Sequence, residues 1–213
     1  MSVKRTVVCF GDSNTYGTPP MPDLDFWGRF GPDARWPGVM AADLGPDWVL
    51  IEEALPGRTT VHDDPIEGRH RNGLSALPMV LGSHRPIDLV IVKLGTNDLK
   101  PRFAVTPEDI ALSVGVLVDT VRASVAGPAG APAVLVVAPA PILEAGCLAG
   151  LFRGGAEKSR HFPTVFGEVA RRQGVPLLDA GALIGSDPLD GVHLSEAAHA
   201  TLGHAVAEAV RRL

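Results

Sequence analysis

Ser13 stands in Gly11-Asp12-Ser13-Asn14, directly after the apolar run Thr6-Val7-Val8-Cys9-Phe10. Near the other end of the chain Asp190 and His193 sit three positions apart in Asp190-Gly191-Val192-His193. A hydroxyl, an imidazole and a carboxylate are the parts of nucleophilic acyl chemistry: the ring takes the hydroxyl proton, and the carboxylate orients the ring and offsets its transient charge. An aspartate and a histidine at this spacing fit one tight turn, so that the carboxylate meets one ring nitrogen and the other faces outward as a base. Each fragment also has a plainer use. Asp12 or Ser13 alone would cap a helix, and Asp-x-x-His alone would be a polar turn before one. Two further polar marks follow apolar runs: Gly57, and Asn97 in Gly95-Thr96-Asn97-Asp98.

Residues so far apart in sequence meet only if the elements before them end at one edge. Apolar runs at Thr6–Phe10, Trp48–Ile51 (continuing to Leu55), Ile87–Leu94, Ala133–Ala138 and Val175–Asp179 predict five strands. They alternate with helical or loop segments, the pattern of an α/β protein with a parallel sheet covered on both faces. A serine where the first strand gives way to a helix lies at the sheet's carboxyl edge, and its own N–H is one of the free donors of the helix start. One residue would then supply both nucleophile and oxyanion donor. Lys93 breaks the apolar pattern of the third strand and needs a carboxylate or solvent at the strand's end, because a buried unpaired ammonium is costly.

Helices are expected at Val39–Leu44; after Thr106-Pro107-Glu108-Asp109, where Thr is the cap and Pro the first helical residue; over 156–173, with Pro163 kinking it or delaying its start; and over Ser195–Leu213. Thr18–Trp36 and Pro139–Gly155 read as long loops rich in Pro and Gly, and loops of that length are usually functional. They carry Phe26, Trp27, Leu148 and Phe152, more large apolar residues than solvated loops should expose, which predicts either a lid or contact with a neighbouring subunit. The polar segment 61–73 holds His62, Asp63, Asp64 and His70 without the spacing of a metal site, and reads as a solvated or substrate-edge loop.

The chain has 213 residues, 46% of them hydrophobic, and a net charge of −5. Its length suits one domain over residues 1–213. No apolar run reaches the roughly 20 residues of a membrane helix, and no basic cluster is interleaved with aromatics, so neither membrane nor nucleic acid is an expected partner. Two cysteines, Cys9 and Cys147, do not suggest a disulfide, and with no secretory signal in the sequence the cytoplasm is the expected compartment. No Gly-x-Gly-x-x-Gly or phosphate-loop motif is present to hold a nucleotide, and no cofactor or metal is called for.

The four blocks in order, Gly-Asp-Ser after the first strand, Gly after the second, Gly-x-Asn-Asp after the third and Asp-x-x-His before the last helix, resemble the SGNH, or GDSL, hydrolase family. The resemblance covers nearly the whole chain. It implies a three-layer α/β/α, flavodoxin-like fold and a serine esterase with Ser13, Asp190 and His193 as catalytic residues. The N–H groups of Ser13 and Gly57 and the Asn97 amide would form its oxyanion hole, with Asp12, Tyr16, Thr96, Phe152 and Val192 at the substrate. Within the family, Arg35-Trp36, Ile51-Glu52-Glu53, Arg58-Thr59-Thr60 and Leu94–Asp98 are similar to the mycobacterial-type aryl esterases and acyltransferases, also called perhydrolases. Those enzymes carry alanine where this chain has Gly57, a change expected to matter little, and tryptophans at Tyr16 and Thr18, where the acyl channel would be wider here. The likeness implies small ester, alcohol or peroxide substrates and a homo-oligomer, an octamer in that branch. A carbohydrate acetylesterase would share every catalytic residue.

Overall fold

The computed structural model describes residues 4–213. Five parallel strands, β1 (Arg5–Gly11), β2 (Trp48–Ala54), β3 (Leu89–Lys93), β4 (Ala133–Ala138) and β5 (Leu177–Asp179), form one sheet in the order β2-β1-β3-β4-β5. The helices are α1 (Ser13–Tyr16), α2 (Trp36–Leu44), α3 (Gly73–His84), α4 (Pro107–Arg122), α5 (Gly155–Ser159), α6 (Phe162–Gln173) and α7 (Glu196–Arg211). Chain direction reverses its walk through the sheet between β1 and β3, and a crevice opens beyond the carboxyl ends of strands at such a switch point. Gly11 pairs with Ala54 on one side and Lys93 on the other, so the turns carrying Ser13, Gly57 and Asn97 leave the sheet side by side.

Alternation along the strands assigns the two faces. Val7, Cys9, Leu89, Ile91, Leu135 and Val137 pack with Trp36 and Met40 of α2 and Leu202 and Val206 of α7. The opposite set, with Val8, Phe10, Val90, Val92, Val134 and Val136, packs with Leu77 of α3, Val114 and Leu117 of α4, and Phe162 and Phe166 of α6. Both faces are covered, which is why the strands read as continuous apolar runs. Truncating a side chain such as Ile91 to Ala would cost roughly 2–5 kcal/mol.

The α4 start follows its residues: Thr106 accepts from the Asp109 N–H, and the Asp109 carboxylate accepts from the Thr106 N–H, a capping box with Pro107 in the first turn. Several elements differ from the sequence reading, β3 among them, which is shorter than the expected Ile87–Leu94. α3 was not among the expected helices; the Asn72 side chain caps its start, and Leu77, Val80 and Leu81 bury against the sheet, outweighing the internal Pro78. The helix expected over 156–173 is two, and Pro163 lies in the first turn of the second. α2 begins three residues early, at Trp36, and β5 begins only at Leu177. The Pro139–Gly155 loop is not a free flap, since Ile142, Leu148 and Phe152 belong to the larger core.

Two charged or titratable groups lie behind the site. Lys93 is 2% exposed, so it does not reach solvent; burial lowers its pKa, and the Asp12 carboxylate is the charge that opposes this. On α7, His199 accepts the Trp36 N–H at Nδ1, 3.3 Å away. Burial, with the nearby charges of Lys93 and Arg35 adding to it, pushes its pKa down to about 3, so the ring is neutral.

Candidate active site

Asp12 is the N-cap of α1, its Oδ1 accepting the Asn14 N–H at 3.0 Å, and Ser13 is the first helical residue. The helix lasts one turn, closed by Gly17 in the left-handed region. Asn14 then does what its neighbours cannot: its Nδ2 donates to the Val192 carbonyl and its Oδ1 accepts from the Leu194 N–H, each at 3.1 Å. These two bonds clamp the backbone on either side of His193 to the serine helix.

The histidine comes from a turn that ends where α7 begins, with Ser195 as the cap. Gly191, at φ 80, makes that turn possible, since a Cβ there would stand 2.2 Å from the Leu143 carbonyl oxygen. Asp190 is fully buried and accepts four hydrogen bonds: from the N–H groups of Val192 (2.8 Å), His193 (2.9 Å) and Met21 (2.7 Å), and from His193 Nδ1 (2.6 Å). Burial alone would raise its pKa. The His193 ring and these donors outweigh burial and hold the carboxyl below its ordinary value. A carboxylate only accepts, so Nδ1 carries the ring proton and Nε2 is left to accept. Nε2 lies 3.0 Å from Ser13 Oγ.

The third component is the Leu55–Thr60 turn after β2. Gly57 has φ 78. Among the described residues neither its N–H nor that of Ser13 donates to a protein acceptor. Asn97 Nδ2 donates to the Arg58 carbonyl at 3.1 Å, which uses one amide hydrogen and fixes the amide plane. Thr60 ties the turn to the end of β3, with its N–H 3.1 Å and its Oγ1 2.6 Å from the Asp98 carboxylate. Burial pushes the Asp98 pKa up despite these bonds.

Ser13, Gly57, Asn97 and His193 all line a single cavity of about 590 Å³. Of the residues expected at the substrate, Tyr16, Phe152 and Val192 line it as well. Asp12 and Thr96 do not: both are buried behind the turn ends, the first as the helix cap and the second beneath the Asn97 turn. The lining includes an apolar set, Leu24, Phe26, Trp27, Leu148 and Leu151, and a polar set, Glu67, His70, Arg71 and Lys100. Lys100 pairs with Glu67, which also meets Arg102, so most of the charge of the polar set is internally balanced.

The segment 61–73 therefore forms an edge of the site through Glu67, His70 and Arg71. Its other acids have work of their own: Asp64 is buried, accepts from the Ile66 and Glu67 N–H groups and pairs with Arg102. Among the described residues no group of three His, Cys, Asp or Glu side chains converges as a metal site. At Gly57 an added Cβ would meet a left-handed backbone and come 2.5 Å from Glu67 Oε2, the tip of a side chain that would have to move aside. Sequence reasoning missed Asn14, the Met21 N–H and Lys100, while the reading of 61–73 as a substrate-edge loop agrees with the cavity lining. An Asn directly after the serine was the one visible signal, and its partners 178 to 180 residues away carried no pattern that could announce them.

A family model described as GDSL-like Lipase/Acylhydrolase matches residues 9–201. Among solved structures, the inhibitor-bound aryl esterase of M. smegmatis is 44% identical, with 98% of this chain and 99% of that chain covered and a TM-score of 0.93. A carbohydrate acetylesterase from Sinorhizobium meliloti is 43% identical with the same coverage and TM-score. A second S. meliloti protein, a carbohydrate acetylesterase family member, is 35% identical over 98% of both chains, with a TM-score of 0.89. No curated protein matches in sequence.

Proposed function

From a chain that belongs to the GDSL-like lipase/acylhydrolase family, we propose a serine carboxylic ester hydrolase that cleaves small acyl esters through an acyl-Ser13 intermediate. The observation that carries this reading is the continuous relay from Asp190 to His193 at 2.6 Å and from His193 to Ser13 at 3.0 Å, opening on a cavity shared with Gly57 and Asn97. His193 Nε2 takes the Ser13 proton as Oγ attacks the ester carbonyl, then returns it to the departing alcohol. The Ser13 and Gly57 N–H groups and the second Asn97 amide hydrogen receive the oxyanion; one such donor is typically worth ~3 kcal/mol. Water, an alcohol or a peroxide then takes the acyl group by the reverse sequence. No step calls for a metal or an organic cofactor.

The apolar lining residues favour an aryl or alkyl group in the cavity and an acceptor other than water. Trp27 is 94% exposed beside Leu24 at 58%, which supports a homo-oligomer, with an octamer as the proposed size, in which a neighbouring subunit covers the rim. Two unpaired thiols suit a reducing compartment, the cytoplasm. A second reading, deacetylation of carbohydrates, is favoured by the polar lining residues Glu67, His70, Arg71 and Lys100 and by the acetylesterases it resembles. The deciding experiment is product analysis with an activated aryl acetate, with and without a competing alcohol, against an acetylated sugar. Aryl acetate turnover with ester formation supports the first reading, and turnover confined to the sugar ester supports the second.

A further inference from the structure

Arg58 lies next to Gly57, is 5% exposed and forms no ion pair among the described residues. Burial brings its pKa down to about 10, opposed by Glu53 and Asp12, so it is charged at neutral pH. Its Nη1 donates to the Gly11 carbonyl at 3.1 Å and also to the Glu53 carbonyl. Its guanidinium carbon lies 4.3 Å from the Phe10 ring centroid. Its own carbonyl is the acceptor that holds Asn97 Nδ2. One residue thus meets the end of β1 two positions before the nucleophile, the end of β2 before the Gly57 turn, and the side chain that follows β3.

We propose that Arg58 is a positioning residue that sets the distance between the Ser13 turn and the Asn97 amide. The guanidinium anchors the 55–60 turn to the carbonyls of β1 and β2, and through that anchor the Arg58 carbonyl holds the Asn97 side chain. Both carbonyls are met from Nη1 while the guanidinium lies on the Phe10 ring; a lysine ammonium has donors enough for both carbonyls but lacks the planar group that packs on the ring and fixes the nitrogen between them. The mechanism needs this because oxyanion donors act only when aligned on the position that the charge will occupy, and a misplacement of ~1 Å can cost on the order of a hundredfold. Gly11 O also accepts the Leu55 N–H at 3.1 Å, so the strand end keeps one partner when the guanidinium is removed. The inference rests on the proposed serine mechanism.

The test is a double-mutant cycle on turnover of an activated aryl acetate, with Arg58→Met and Arg58→Lys each made alone and with Asn97→Ala. Arg58→Met is expected to lower kcat about tenfold or more with KM within about twofold, and Arg58→Lys to recover part of the loss. In the Asn97→Ala background the same Arg58 changes are expected to cost less than about threefold, because the group they align is gone. If Arg58→Met does not fold, the cycle is read with Arg58→Lys, where a loss of about threefold that vanishes in Asn97→Ala carries the same meaning. A folded Arg58 variant with unchanged kcat, or losses that multiply in full in the double variants, overturns the proposal. Ser13→Ala is assayed alongside: if it retains full turnover, the serine mechanism itself fails, and if it is inactive, a negative cycle counts against Arg58 alone.

Discussion

The two sides of the site are built differently. On the His193 side the geometry is largely local: Asp190, Gly191 and His193 share one turn, the carboxylate caps two N–H groups of that turn, and α7 follows at once. On the Gly57 side less is local. That turn is held by Arg58 on the carbonyls of β1 and β2 and by Thr60 on Asp98, and Asn97 arrives from β3. A turn braced mainly from within keeps its shape when its surroundings shift, whereas a turn suspended from three strands inherits every change in them. Proton transfer should therefore depend most on the relay members and on the Asn14 clamp that holds them to the serine helix, and oxyanion stabilisation should be sensitive to residues that never touch substrate.

The largest effect is expected from Asp190→Asn. The amide can hold the wrong imidazole tautomer, and turnover should fall by roughly three to four orders of magnitude with the fold intact. Steady-state kinetics with thermal unfolding as the control checks this; wild-type-like turnover would remove the self-contained relay from the comparison. Asn97→Ala comes next, with kcat lower by roughly a hundredfold and KM little changed, since the lost donor acts on developing charge. A loss confined to KM would mean that Asn97 binds the ground state instead.

How much of this contrast the sequence revealed follows the same division. Local features announce themselves: the Asp-x-x-His turn, the Thr106 capping box and the apolar strand runs each sit within a few residues, and all were legible. The suspended side was visible only as isolated marks, Gly57 and Asn97, given meaning by family resemblance. The bonds that join them run through Arg58, Thr60 and Asp98, and those of Asn14 span almost the whole chain; no periodicity encodes such pairs. Asp12 and Thr96 are buried and do not line the cavity, and adjacency to a site residue in sequence does not say whether a side chain faces it. α3 was not read from the sequence at all; its internal Pro78 weighs against a helix locally, while burial of Leu77 and Leu81 decides the matter globally.

A smaller effect sharpens the comparison on the Gly57 side. Gly57→Ala keeps the backbone donor yet places a Cβ in a left-handed conformation against Glu67, which is held by Lys100 and Arg102. Stability should fall by about 1 kcal/mol or more and kcat by several-fold. Urea unfolding and kinetics together check it, and no change in either would show that this turn is less constrained than its contacts suggest.

An effect on stability alone concerns what the His193 side leans on. His199 of α7 is held at a pKa of about 3, against ~6.5 when unfolded. The unfolded state therefore binds the proton first, and stability falls as pH drops below ~6.5, by up to about 1.4 kcal/mol per pH unit until the folded value is reached. The urea midpoint between neutral pH and pH ~4 should fall more steeply in the wild type than in His199→Asn, which keeps an acceptor for Trp36 without taking up a proton. Equal slopes would move the acid sensitivity elsewhere.

The central claim is that both sides of the site serve a covalent step at Ser13. The direct measurement is intact and peptide mass analysis after rapid acid quench of the enzyme with an activated aryl acetate. One acetyl group is predicted on the peptide containing Ser13, accumulating in Asp190→Asn if deacylation is slowed more than acylation, and absent in an inactive, folded Ser13→Ala variant. An acetyl group on another residue that tracks turnover, or undiminished hydrolysis by Ser13→Ala, would contradict it.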